Sequence, residues 1–302
     1  PLKRYSSLAR RNDFSLPITT SRGCPYNCSF CYKGVFGTRM RLRSPEHVVD
    51  EWAFLIQRYG AREIAILDDL FTFKRERALA ICELLKARAL DTVPWSTTNG
   101  IRVDNVTPEL FAVMHGSGCY RVYFGIESGV ERILRDLNKK ITIDQVRYAV
   151  SAASQAGLEV GGYFMLGNIG ETVEDMETTI RFALDLDLDF AQFSIATPYP
   201  GSQMFNDIVR DGKLLISSWE ELATYGTSVF MIGDLNPEIV GKMFRKANRQ
   251  FYFRPRTIRR QLRQLLSWTG FKHLVLGGIL LLKLTIFGGR RRVSLSKRRR
   301  RR

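Results

Sequence analysis

Three cysteines, Cys24, Cys28 and Cys31, fall within the stretch RGCPYNCSFCYKG, and no fourth follows nearby. Thiolates so closely spaced are ligands for zinc or for an iron–sulfur centre. A structural zinc wants a fourth donor, and the imidazoles are poorly placed for it. His47 lies inside a helical pattern, while His115 and His273 are distant in sequence. A four-iron cluster takes one ligand per iron, so three thiolates leave one iron open to a small molecule. Cys82, in RALAICELLKA, and Cys119, at the head of a strand pattern, read instead as small buried apolar residues. The cysteines are odd in number, and the opening PLKRYSSLARRNDFSLP has no apolar signal region. Metal ligation in a reducing cytosol is therefore expected rather than a secreted disulfide framework.

A loop of thiols needs elements to hold it. The chain has 302 residues, 45% of them hydrophobic, enough for one large α/β domain plus a tail. PITTSR, REIAILDD, VPWSTT, CYRVYFGIES, LEVGGYFMLG and DFAQFSIATPYPG read as strands. Between them lie helical patterns with clear ends. SPEHVVDEWAFLIQRYG starts on Ser44 and Pro45 and stops at Gly60; TPELFAVMHGSG starts on Thr107 and Pro108. Runs such as IAIL and YFML look buried on both faces, as parallel strands are. Six strand–helix alternations between residues 17 and 201 argue a parallel sheet and are too few for a closed eight-stranded barrel. The expected fold class is α/β: a partial (β/α)6 TIM-like barrel over 17–202. A linker, 1–16, precedes it, and a mostly helical extension, 203–273, follows.

In such sheets chemistry belongs at the carboxyl ends of the strands. One topology then gathers Cys24, Cys28, Cys31, Asp68, Asp69, Asn99, Glu127, Ser128 and Asn168 from five segments. Each has a plainer reading beside the functional one. The cysteines fit a zinc knuckle, and the paired aspartates fit a helix N-terminus. Glu127 and Ser128 fit a capped turn, Lys139 a solvated lysine.

Cys-x3-Cys-x-aromatic-Cys, here CPYNCSFC with Phe30 before the last cysteine, resembles the signature of radical S-adenosylmethionine (radical SAM) enzymes. The resemblance continues in order through ILDDLFTF, STTNGIRVD, YFGIESG, NKKIT, GYFMLGNIGET and TPYPGS, and RQFYFRPRTIRRQL is similar to the extension of the cobalamin-dependent branch. It implies a [4Fe-4S] cluster on Cys24, Cys28 and Cys31, whose open iron binds the amino and carboxylate groups of S-adenosylmethionine. One electron then breaks a carbon–sulfur bond, and a 5′-deoxyadenosyl radical takes hydrogen from substrate. The resemblance further implies Phe30 near the adenine, Asp68 and Asp69 at the methionyl ammonium, and Asn99 at the ribose. Glu127 and Ser128 would hold ribose hydroxyls or the amino group, Lys139 the methionyl carboxylate, and Met165 and Gly167 would flank the adenine. Where the family usually reads Gly-Leu-Pro-Gly-Glu this chain has GNIGE, and without proline a less rigid loop is expected.

The formal net charge is +16, of which nine positive charges and no acid lie in RRRVSLSKRRRRR, leaving +7 on the rest. The apolar run HLVLGGILLLKLTIF is shorter than the roughly twenty residues a bilayer span needs. With the basic tail, 274–302 resembles a peripheral anchor for the anionic inner face of a cytoplasmic membrane. The branch implies a hydrophobic small-molecule substrate and an electron donor such as flavodoxin or ferredoxin. It also implies cobalamin, expected from a domain ahead of Pro1, because 1–16 is too short to hold one. Two alternatives stay open. A tRNA-modifying enzyme of the same superfamily would use the arginine tail on phosphates, but no aromatic RNA-binding platform is readable after residue 202, so a nucleic-acid partner is not expected. A non-catalytic iron–sulfur or zinc protein would not depend on Asp69, Glu127 or Lys139.

Overall fold

The computed structural model describes residues 11–12, 14–222, 225, 228–233, 235–262 and 279. Six strands form one sheet: β1 (Ser15–Ile18), β2 (Glu63–Ile66), β3 (Trp95–Ile101), β4 (Cys119–Glu127), β5 (Glu159–Leu166) and β6 (Phe190–Ile195). Every pairing is parallel and the spatial order is the chain order, with β1 and β6 at the edges. This is the partial (β/α)6 TIM-like barrel that the alternation implied.

The helices begin where their capping residues say. α1 (Pro45–Tyr59) takes Ser44 as cap, with the His47 amide donating to its hydroxyl, and ends on Gly60 at φ 67°, a left-handed turn that glycine enters without a Cβ clash. α2 is Arg75–Ala87. α3 (Pro108–Gly116) is capped by Thr107. α4 (Glu131–Asp136) is short, and α5 (Ile143–Gln155) and α6 (Val173–Asp185) each open on a reciprocal capping box, Thr142 with Gln145 and Thr172 with Asp175. α7 (Gln203–Asp211), α8 (Pro237–Tyr252) and α9 (Pro255–Leu262) follow the last strand.

The main core lies between sheet and helices. Trp52 of α1 meets Trp95 of β3 edge to face at 5.9 Å, and Phe111 of α3 meets Phe124 of β4 at 6.1 Å. Cys82 and Cys119 are buried there, the small apolar role their patterns suggested. α8 closes the layer over β6: Phe251 packs on Phe193, and the Tyr252 hydroxyl donates to Ala191 O at 2.8 Å. A second, smaller apolar cluster sits at the carboxyl ends and includes Ile133, Leu137, Met165, Met204 and Ile208, with Phe30 against it. The linker 1–10, most of the segment after Leu262 and, apart from Ile279, the apolar run and basic tail over 274–302 lie outside the described residues. Among the described residues no helix is long and apolar enough to cross a membrane.

Candidate active site

The cysteine loop follows β1 and is fastened from several sides. Ser29 N donates to Leu137 O at 3.0 Å, Met204 N to Ser29 O at 2.8 Å, and Cys24 N to Gly37 O at 3.2 Å. The Asn138 side-chain amide donates to Asn27 O at 2.7 Å, from a residue at φ 51°. The Arg102 guanidinium lies 3.7 Å over the Tyr26 ring and is itself fixed by Asp104 and by Lys140 O. Asp68 works from below. Its carboxylate is 2% exposed and accepts from Thr20 N, the Thr20 hydroxyl and the Ser21 hydroxyl, the last residues before the loop.

Cys24 and Cys28 are half-buried and Cys31 is exposed. Burial raises the Cys28 thiol pKa above its ordinary value, while the Lys139 ammonium beside it acts in the opposite direction. Burial also raises Cys31, and the neighbouring Cys28 and Cys24 add to the shift. Asp69 is exposed near Cys31; burial, then the charge of Asp68, raises its carboxyl. Among the described residues no group of three or more His, Cys, Asp or Glu side chains could hold a single metal ion. A four-iron cluster does not ask for convergence on one point, since each thiolate takes its own iron. Three thiols on one loop, with Lys139 and Arg102 close enough to favour the thiolate of Cys28, suit such a cluster.

Across from the thiols, β4 ends in a register shift after Gly125 and in Glu127 at φ 68°, a costly conformation for a side-chain-bearing residue. The turn brings Glu127 Oε1 to 2.6 Å from Lys139 Nζ, and both side chains are nearly buried, 12% and 9% exposed. Lys139 Nζ stands 5.7 Å over the Phe30 ring. Met165 shares the small apolar cluster with Phe30. Asn99, exposed near the end of β3, donates through its amide to Leu67 O at 2.7 Å.

Cys24, Cys28, Cys31, Phe30, Asp69, Glu127, Lys139 and Met165 therefore meet at one end of the sheet. Asp68, Ser128 and Gly167 face elsewhere. Ser128 is fully buried, bonded to Thr179 of α6 and accepting from Val130 N in a local turn, while α4 itself starts at Val130 with no side-chain cap. Gly167, at φ 79°, lies under α8, where an added Cβ would come within 2.7 Å of Val240 Cγ1. The GNIGE loop, which lacks the proline, is tied from within by Glu171. One oxygen of Glu171 accepts from Gly167 N at 2.6 Å, from Asn168 N at 2.8 Å and from the Asn168 side chain at 3.2 Å. Burial pushes the Glu171 carboxyl up to about 7 against the lowering pull of these hydrogen bonds, and its other oxygen has no partner among the described residues.

Sequence reasoning missed the fasteners Tyr26, Arg102 and Asn138, and it missed the floor. The Tyr163 hydroxyl donates to Thr98 O, and its ring stacks on Tyr123 at 5.1 Å and 13°. It crosses Gly100, whose absent Cβ would stand 3.3 Å from the ring. Above this floor Gln192 donates to the Tyr225 hydroxyl at 2.6 Å. The glycines within the strand patterns were the one available signal.

The family model of the radical SAM superfamily matches residues 18–183. An uncharacterized methyltransferase of Pyrococcus horikoshii is 40% identical over 242 residues, 80% of this chain and 52% of that protein. Cytidylyl-2-hydroxyethylphosphonate methyltransferase of Streptomyces wedmorensis is 34% identical over 245 residues, 78% of this chain and 45% of that one. The chain thus spans about half the length of these curated relatives. Among solved structures, the radical S-adenosylmethionine methyltransferase TsrM of Kitasatospora setae, with cobalamin and a [4Fe-4S] cluster bound, matches 64% of this chain and 39% of its own at TM-score 0.58 and 21% identity. The cobalamin-dependent radical enzyme OxsB matches 90% and 48% at TM-score 0.62 and 14% identity. At these identities the likeness is one of fold.

Proposed function

This chain belongs to the radical SAM superfamily, and from that premise we propose that it is the catalytic barrel of a methyltransferase acting on a small, largely apolar molecule. One observation carries the reading: three thiols of one loop share a site with the Glu127–Lys139 pair at the carboxyl end of a parallel sheet. Methyltransferase names among the relatives support the reaction class.

Cys24, Cys28 and Cys31 would hold the cluster. When bound, cluster and S-adenosylmethionine supply reductive cleavage of a sulfonium carbon–sulfur bond, the source of a 5′-deoxyadenosyl radical. The chain's own residues bind and orient. The Lys139 ammonium takes the methionyl carboxylate, and Glu127 and Asp69 take the methionyl ammonium. Phe30 and Met165 give the adenine an apolar face, and Asn99 meets the ribose. Asp68 holds Thr20 and Ser21, and through them the ligand loop. Ser128 and Gly167 position β4 and β5 from outside. Cobalamin dependence belongs to the proposal although no described side chain is assigned to it. We place the reaction in the cytoplasm, fed by a flavodoxin- or ferredoxin-type donor, with the basic tail attracting an anionic membrane face.

The test is anaerobic reconstitution with iron and sulfide, dithionite reduction, addition of S-adenosylmethionine with and without hydroxocobalamin, and assay of 5′-deoxyadenosine. The wild type is expected to form the nucleoside, and Cys28→Ala to fall below detection with its iron content. A protein that retains one zinc and no iron would overturn the reading.

A further inference from the structure

Residues 14–45 carry Arg22, Lys33, Arg39, Arg41 and Arg43 and no acid. Arg43 is used within the fold, bonded to Thr19 O and paired with Glu51. The other four have no acidic partner among the described residues. Arg22 and Arg41 stand directly opposite each other in a two-residue antiparallel ribbon, Ser21–Arg22 with Arg41–Leu42, and both are exposed. Like charges so placed repel, and among the described residues no carboxylate pairs with either, Arg41 donating only to Phe36 O at 2.8 Å.

The chain between the two ribbon strands is the cysteine loop and, after it, Tyr32–Met40. This second part folds back on the first: Gly37 N donates to Lys33 O, Gly37 O accepts from Cys24 N, and Lys33 Nζ reaches Asn27. It leaves Tyr32, Val35 and Phe36 exposed by 51%, 73% and 42%. An apolar knob ringed by unpaired cations, next to the thiols, is the anatomy of a protein interface with a greasy centre and a charged rim. The proposed chemistry needs one electron delivered to this loop from outside the chain.

We propose that the face formed by Arg22 and Tyr32–Arg41 docks an acidic one-electron carrier protein, whose reduced centre loses one electron to the cluster held by Cys24, Cys28 and Cys31. The inference rests on the function proposed above for the thiols. The cations steer the anionic carrier, and Val35 and Phe36 give the encounter its dry centre.

The probe is flavodoxin, used against the reconstituted chain. Its binding is followed by calorimetry, and its electron transfer by bleaching of cluster absorbance after mixing the hydroquinone form with protein and S-adenosylmethionine. Wild-type binding should weaken steeply with salt. Arg22→Glu with Arg39→Glu should slow bleaching about tenfold or more, while bleaching by dithionite is unchanged. Val35→Ser, which alters no charge, should weaken binding and leave the salt dependence intact. Wild-type binding and rates in both variants overturn the proposal, as does equal loss with flavodoxin and dithionite. Loss of binding to anionic phospholipid vesicles in place of flavodoxin binding assigns the face to a membrane and overturns it too. Absence of 5′-deoxyadenosine with either reductant, with flavodoxin binding intact, strikes the proposed function and not the docking face.

Discussion

The two ends of β4 handle charge in opposite ways. At the amino end Arg121 is 5% exposed and donates twice to Glu159, while it faces the rings of Tyr120 and Phe190. Glu63 beside it accepts from the Tyr120 hydroxyl and from the amides of Arg11 and Asn12. Every group there faces a partner of its own chain. At the carboxyl end, six residues on, Glu127 and Lys139 pair with each other, but three thiols and Asp69 sit beside them with acceptor capacity left over. The stacked Tyr123 and Tyr163 separate the two. A closed network is what stability asks of a buried ion; an open one is what a ligand asks. The same strand supplies both: Arg121, Tyr123 and Gly125 alternate onto one face, and past the register shift the left-handed turn at Glu127 aims its carboxylate at Lys139.

Among the substitutions, breaking the closed end should be the most damaging to the fold. Arg121→Ala empties a buried guanidinium site and takes one of two arginines from Glu159, which is 28% exposed and keeps Arg11, so the expected loss is about 2–3 kcal/mol of stability by urea unfolding. Cleavage of S-adenosylmethionine per folded molecule should persist. Equal loss of cleavage and stability would erase the distinction between the ends.

Glu171 tests the border between them. Its carboxyl is raised to about 7 in the fold and is ordinary when unfolded. The folded chain therefore holds more protons between these values, so stability falls as pH rises from about 4.5 to 7 and is steady outside that window. The drop is expected to be on the order of 3–4 kcal/mol by the per-unit conversion. Glu171→Gln keeps an acceptor for Gly167 and Asn168 and should flatten this part of the Tm–pH profile.

The smallest effect is expected at the open end. Lys139→Met keeps the apolar stem and removes the charge. The KM for S-adenosylmethionine should rise about tenfold, roughly 1.4 kcal/mol, with little change in the iron bound. A tenfold fall in iron content instead would make Lys139 a support of the thiols.

The fold was legible because each strand is an apolar run and each helix carries its own punctuation, as Ser44, Thr107 and Gly60 do. The thiol spacing was legible for the same local reason. What failed to show was direction. Asp68 and Asp69 are neighbours in sequence, yet one is consumed by Thr20 and Ser21 and the other is exposed. Glu127 and Ser128 part in the same way, because the left-handed turn at Glu127 sends one to Lys139 and the other to Thr179. No local pattern encodes a partner 48 or 51 residues away. The fasteners Arg102 and Asn138 escaped for that reason: their partners are a ring and a carbonyl on a distant loop.

The anchoring of that loop sets a timetable for making the protein. Cys31 leaves the ribosome well before Asn138 and Met204, on which the loop hangs. At about 5–20 residues per second, roughly 10 to 30 seconds pass before the last of these is synthesised. Through that interval the three thiols are on an untethered segment, open to oxidants and stray metals. Loading onto an anchored loop is thus expected only once Met204 has been made and packed against it.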